Sequence, residues 1–157
     1  MKKYLILLVL GIASLQVLLS RDPTRFQCDI VIKYKPDQIF IYEGDNDIAG
    51  GKKLSEIMKD AKKIVRELNK KLNTIPVAFI SPKPSLARWD LKEEYIELNL
   101  RFEKYAKRKD QVDFINIWPV MLNPEGEPTA ELFIEDGLHM SKSGYDLWAG
   151  EIKKYMK

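Results

Sequence analysis

The sequence contains a single cysteine and a single histidine, and each scarcity excludes something. Cys28 has no second thiol to pair with, so no intramolecular disulfide is available, and no cysteine-based zinc site. It also does not follow the leading apolar run directly, as a lipoprotein cysteine would. Any step that needs an imidazole to exchange protons near neutral pH must use His139. An excess of one charge is missing too. The 26 Lys and Arg against 23 Asp and Glu leave a formal net charge of +3, too little to argue for a nucleic-acid partner. There is no interleaving of basic and aromatic residues of the kind that holds single strands, and no internal repeat or low-complexity segment. Lys52, Lys53, Lys59, Lys62, Lys63, Lys70 and Lys71 read as a solvated helix face.

The longest apolar run, residues 4–19, has 16 residues, short of the ~20 that span a bilayer as a helix. Lys2 and Lys3 precede it, giving the shape of a secretory signal. The expectation is that residues 1–20 are a signal peptide or N-terminal membrane anchor and that residues 21–157 form the domain. The product would then be exported (periplasmic, secreted or membrane-anchored), with possible N-terminal membrane association. The alternative is that this run is a buried first strand in a cytoplasmic protein. At 157 residues, 45% hydrophobic and 31% charged, the chain has the length and composition of one globular domain.

Residues 38–42 (QIFIY) are rich in β-branched and aromatic types and read as a buried strand. Glu43-Gly44-Asp45-Asn46-Asp47 then reads as a polar loop. Residues 53–72 carry Leu54, Ile57, Met58, Ala61, Ile64, Val65 and Leu68 at helix spacing. Residues 76–80 (PVAFI) are a second strand, stopped by Pro82 and Pro84. Residues 90–107 are helical, 112–117 (VDFINI) a third strand, and 141–156 a last helix that Ser141 or Ser143 can cap. Alternating strands and helices predict a parallel sheet with helices on both faces. Ligands of such sheets bind beyond the carboxyl ends of the strands. Gly44-Asp45-Asn46-Asp47 follows one strand, and Asp136-Gly137-Leu138-His139 precedes the last helix, so both polar motifs fall at that end.

Acyl transfer needs a nucleophile, a base held by a carboxylate, and donors for the oxyanion. Asp136 and His139 can be orienter and base. Asn46 can be a neutral N–H donor, which an ionised aspartate cannot. Read alone, a histidine near an aspartate is also explained as a solvated or capping residue.

Gly44-Asp45-Asn46-Asp47 resembles the Gly-x-Asn-Asp block of SGNH hydrolases, also called GDSL esterases and lipases. Asp136-Gly137-Leu138-His139 resembles their Asp-x-x-His block, followed by Met140-Ser141-x-x-Gly144-Tyr145. The stretch from Phe79 through Arg88-Trp89 is similar to one bacterial branch of that family. The resemblance covers about residues 22–157. It implies a three-layer α/β/α sandwich with a flavodoxin-like parallel sheet. It implies His139 as base, Asp136 as its orienter, and Asn46 as oxyanion donor with Gly44 and Asp47 shaping the loop. No cofactor is implied, and the substrate would be a small-molecule, carbohydrate or lipid ester. The family's Gly-Asp-Ser nucleophile block and its glycine block have no match here. Ser14, in Gly11-Ile12-Ala13-Ser14, is the nearest echo. The expectation is therefore a fold missing or altering its first βα portion. Two readings stay open: an active esterase whose nucleophile is not identified, and a truncated, non-catalytic relative that binds a glycan or acyl ligand. A cation held by Asp45, Asp47, Asp136 and His139 is a third. Trp89 and Trp148 are expected to pack, Arg88 to be solvated rather than paired to an Asp or substrate, and Ser81 and Ser85 to rim the site.

Overall fold

The computed structural model describes residues 4–8 and 31–157. Four strands form one parallel sheet in the order β1 (Tyr4–Leu8), β2 (Gln38–Tyr42), β3 (Val77–Ile80), β4 (Val112–Ile115). Tyr4 pairs with Gln38 and Leu8 with Tyr42, so the start of the leading apolar run lies in the sheet. The rest of that run, with Ser14, and Cys28 as well, lies outside the described residues. No described helix is long and apolar enough to cross a membrane.

All five residues of β2 and all four of β3 are buried. A strand covered on both faces has no reason to alternate polar and apolar residues, which is why these runs read as continuously apolar. Their side chains still alternate between two cores. Ile39, Ile41, Val77 and Phe79 face one cluster, while Phe40, Tyr42, Ala78 and Ile80 face the other.

Three longer helices complete the layers. α2 (Leu54–Leu72) and α3 (Lys92–Ala106) cover the first face through Ile57, Ala61, Ile64, Leu68, Leu98 and Phe102. Phe79 stacks on Phe102 at 4.8 Å. α4 (Lys142–Lys153) covers the other face with Trp148 and Ile152, and Trp148 meets the Tyr42 ring edge-on at 5.0 Å. Ser141 caps α4, its side chain accepting from the Gly144 N–H. Each fully buried Ile, Leu or Phe among these contributes on the order of 1.5–3 kcal/mol over leaving it exposed.

The structure refines several boundaries: the third strand ends at Ile115 rather than 117, and the last helix at Lys153 rather than 156. Residues 45–47 of the expected polar loop instead begin a one-turn helix, α1 (Asp45–Ala49). The helix expected from residue 90 begins at Lys92, behind a 3-10 segment, Leu86–Leu91, bent at Arg88. Short-range competition between Asp/Asn turn chemistry and helix formation is what the sequence pattern did not resolve.

Candidate active site

Gly44 makes the strand-to-helix turn possible. Its φ is +104°, and a Cβ there would sit 2.6 Å from Leu98 Cδ2. Such a backbone is one that glycine adopts readily. The turn sends Asp45 and Asn46 to the carboxyl end of β2.

Asp45 is buried and takes four donors. Lys83 Nζ (2.8 Å) and the Tyr42 hydroxyl (2.7 Å) donate to Oδ2. Arg88 Nη1 (2.5 Å) and the Tyr95 hydroxyl (2.7 Å) donate to Oδ1. Burial alone would raise its pKa, but the Lys83 charge and these hydrogen bonds outweigh it and hold Asp45 at about 2. Burial and the adjacent Asp45 charge push both tyrosine hydroxyls upward. The expectation of a solvated Arg88 is therefore corrected: its side chain is 18% exposed and tied to Asp45.

The other end of the Arg88 fork donates from Nη2 to Asn46 Oδ1 at 2.9 Å. A guanidinium has no acceptor, so the atom facing it must be the amide oxygen. The Asn46 NH2 group is then turned away from Arg88. Asp47 points elsewhere: its Oδ1 accepts from Lys52 Nζ at 3.2 Å, and Lys52 also reaches Asp60 at 2.8 Å.

The second motif is built locally. Asp136 Oδ1 accepts from the backbone N–H of Leu138 and of His139, each at 2.8 Å. Gly137 turns the chain at φ +63°, and Ile134 N–H donates to the His139 carbonyl at 2.9 Å. This leaves Asp136 Oδ2 against His139 Nδ1 at 2.5 Å. The hydrogen bond from the His139 ring, then those two backbone N–H groups, lower the Asp136 pKa to about 2. With Nδ1 engaged, Nε2 is the ring nitrogen left for proton transfer. The His139 side chain is 70% exposed.

Asn46 and His139 line one cavity of about 440 Å³. Arg88 and Lys83 edge it, and Phe40, Ile80, Met140 and Trp148 supply apolar wall. One strap joins the two halves: Arg88 holds Asn46, while the N–H of the preceding Ala87 donates to the Gly137 carbonyl at 3.1 Å.

The serines of the Pro-rich segment do not rim this cavity. Ser81 is fully buried and accepts from the Ile117 N–H at 3.0 Å, and Ser85 is buried as well. Among the described residues, no serine lines the cavity. Trp148 packs as expected, and Trp89 stacks against Trp118 at 5.9 Å. Of the four groups weighed as cation ligands, Asp45 is tied to Lys83 and Arg88, Asp47 to Lys52, and Asp136 to His139. Among the described residues, no three metal-ligating side chains gather. Sequence reasoning missed the Lys83–Asp45–Arg88 cluster. The available signal was that Lys83 and Arg88 follow β3 at the same sheet edge as Asn46.

The GDSL-like lipase/acylhydrolase family model matches residues 3–147. The fold is that of a GDSL-like lipase from Bacteroides thetaiotaomicron, at TM-score 0.70 and 23% identity, covering 84% of this chain and 69% of that one. A family 3 carbohydrate esterase from Talaromyces cellulolyticus matches at TM-score 0.70 and 17% identity, covering 84% and 63%. No curated protein matches the sequence.

Proposed function

This chain belongs to the GDSL-like lipase/acylhydrolase family, and from that premise we propose that it hydrolyses a carboxylic ester with His139 as base, Asp136 as its orienter and Asn46 as oxyanion donor. The observation that carries the reading is the 2.5 Å contact between Asp136 Oδ2 and His139 Nδ1 at the mouth of the cavity. It selects the tautomer with Nε2 as acceptor and stabilises the imidazolium formed when that nitrogen takes a proton.

The oxyanion side supports the same chemistry. Lys83 and Arg88 together carry one more charge than Asp45 neutralises. That residual positive charge lies beneath Asn46, where negative charge develops on the ester oxygen. The apolar wall suits an acyl group, and the open mouth suits a carbohydrate or lipid alcohol as leaving group. Nucleophilic attack would come from a serine outside the described residues, with Ser14 the candidate. Export is proposed only in a form that retains residues 1–20, since β1 and Ser14 both lie within them.

The absence of serine from the described lining favours a second reading, a non-catalytic relative that holds an acyl or glycan ligand in this cavity. Two measurements separate them. Hydrolysis of p-nitrophenyl acetate should fall at least ~10²-fold in His139→Ala, and a fluorophosphonate probe should label a serine. Absence of both turnover and labelling would overturn the esterase reading; labelling would overturn the binding reading.

A further inference from the structure

The outer faces of α2 and α3 meet in a groove of about 530 Å³ that shares no lining residue with the catalytic cavity. Lys59, Lys62 and Arg66 line it from α2. Arg101 and Lys104 line it from α3, and Arg108 from the turn that follows. The spacing is three then four residues in both sets, which puts each set on one helix face. Among the described residues, no carboxylate lines the groove.

Two other lysines nearby are neutralised, Lys70 of α2 by Glu67 at 2.9 Å and Lys107, just past α3, by Glu103 at 2.8 Å. Of the six groove cations, Arg101 alone has a carboxylate partner among the described residues, Glu97 at 2.7 Å. Like charges at such spacing repel. With a net charge of +3 for the whole chain, the sequence outside the groove is net acidic, so positive potential concentrates here. The floor is built: Met58 is buried, and the Lys62 ammonium lies 5.7 Å from the centre of the Tyr105 ring.

We propose that this groove binds a compact polyanion bearing at least two phosphate or sulfate groups. Arginine forks from both sides give paired N–H donors to such groups, and the lysines add point charge. The volume is that of a site for one small ligand rather than an extended polymer. The phosphates could belong to a soluble oligophosphate or to a lipid headgroup, with the same chemistry. Binding here requires no turnover at His139.

The test uses the full chain with sodium tripolyphosphate by calorimetry, and sedimentation with phosphatidylcholine vesicles with or without cardiolipin, whose headgroup carries two phosphates. The variant Lys62→Gln/Arg66→Gln/Lys104→Gln is compared with Lys70→Gln/Lys142→Gln/Lys154→Gln, which has the same net charge. Saturable binding of either probe, weakened at least ~10-fold in the first variant but not the second and falling as salt rises, is the expected result. Binding to tripolyphosphate alone assigns a soluble ligand; binding to cardiolipin vesicles assigns a headgroup. No saturable binding of either probe, or equal loss in both variants, overturns the site.

Discussion

Two side chains carry physics that simple patterning does not report. Arg88 bridges Asp45 and Asn46. Lysine at this position keeps a positive charge for Asp45 but cannot span both acceptors. Arg88→Lys is expected to lower kcat for p-nitrophenyl acetate ~10-fold or more, by loosening Asn46 in its proposed role as oxyanion donor, with KM little changed. A rise in KM alone would assign Arg88 to substrate binding instead. Glu43 is the second. It is 1% exposed, and neither carboxyl oxygen has a hydrogen-bond partner among the described residues. Burial, then the charge of Asp47, raises its pKa to about 8. The folded state thus keeps a proton that the unfolded chain loses near pH 4.5. Because the native state binds more protons over that window, stability falls as pH rises from about 4.5 to about 8. Glu43→Gln should raise Tm at pH 8, leave it nearly unchanged at pH 4, and flatten the profile between. An unchanged pH 8 Tm would contradict a buried neutral Glu43.

Among the elements, α4 and the loop before it depend on Gly144. A Cβ there would collide with the Leu132 carbonyl oxygen and lie 3.1 Å from Met140 Cβ. Both neighbours flank the Asp136–His139 loop, which is closed by the Phe133–Met140 bridge. Overpacking of this kind costs ~1–3 kcal/mol. Gly144→Ala should lower Tm by several degrees and reduce turnover by displacing His139. A variant that melts like the parent would show that α4 can shift at no cost. Ser141 is legible in sequence as the cap of this helix, and it does accept the Gly144 N–H. The close approach at Gly144 is not legible, because it depends on a carbonyl twelve residues away.

For the whole molecule, the first strand matters most. β1 pairs along its full length with β2, whose Gly44–Asn46 turn begins the site. A chain starting at residue 21 would lack β1 and leave one edge of β2 without its ladder. That chain is expected to melt lower than the full chain and to lose p-nitrophenyl acetate turnover. Equal Tm values would show that residues 1–20 are dispensable for the fold, as a cleaved leader would be. The doubly covered parallel sheet was readable in advance, since QIFIY and PVAFI are too apolar for a half-exposed strand. The fate of residues 4–8 was not, because a leader and a buried strand demand the same apolar run.

By itself the sequence determined the alternation of strands and helices, the parallel sheet, and the local Asp136–His139 unit. Each rests on short-range patterning: side-chain period, turn chemistry, and a carboxylate three residues from an imidazole. The tertiary structure decided what lies far apart in the chain. It brought Arg88 and Lys83 onto Asp45, buried Ser81 and Ser85 away from the cavity, and left Glu43 without a hydrogen-bond partner among the described residues. Those outcomes depend on which buried charge meets which donor, and desolvation makes that choice only once the chain has closed around them.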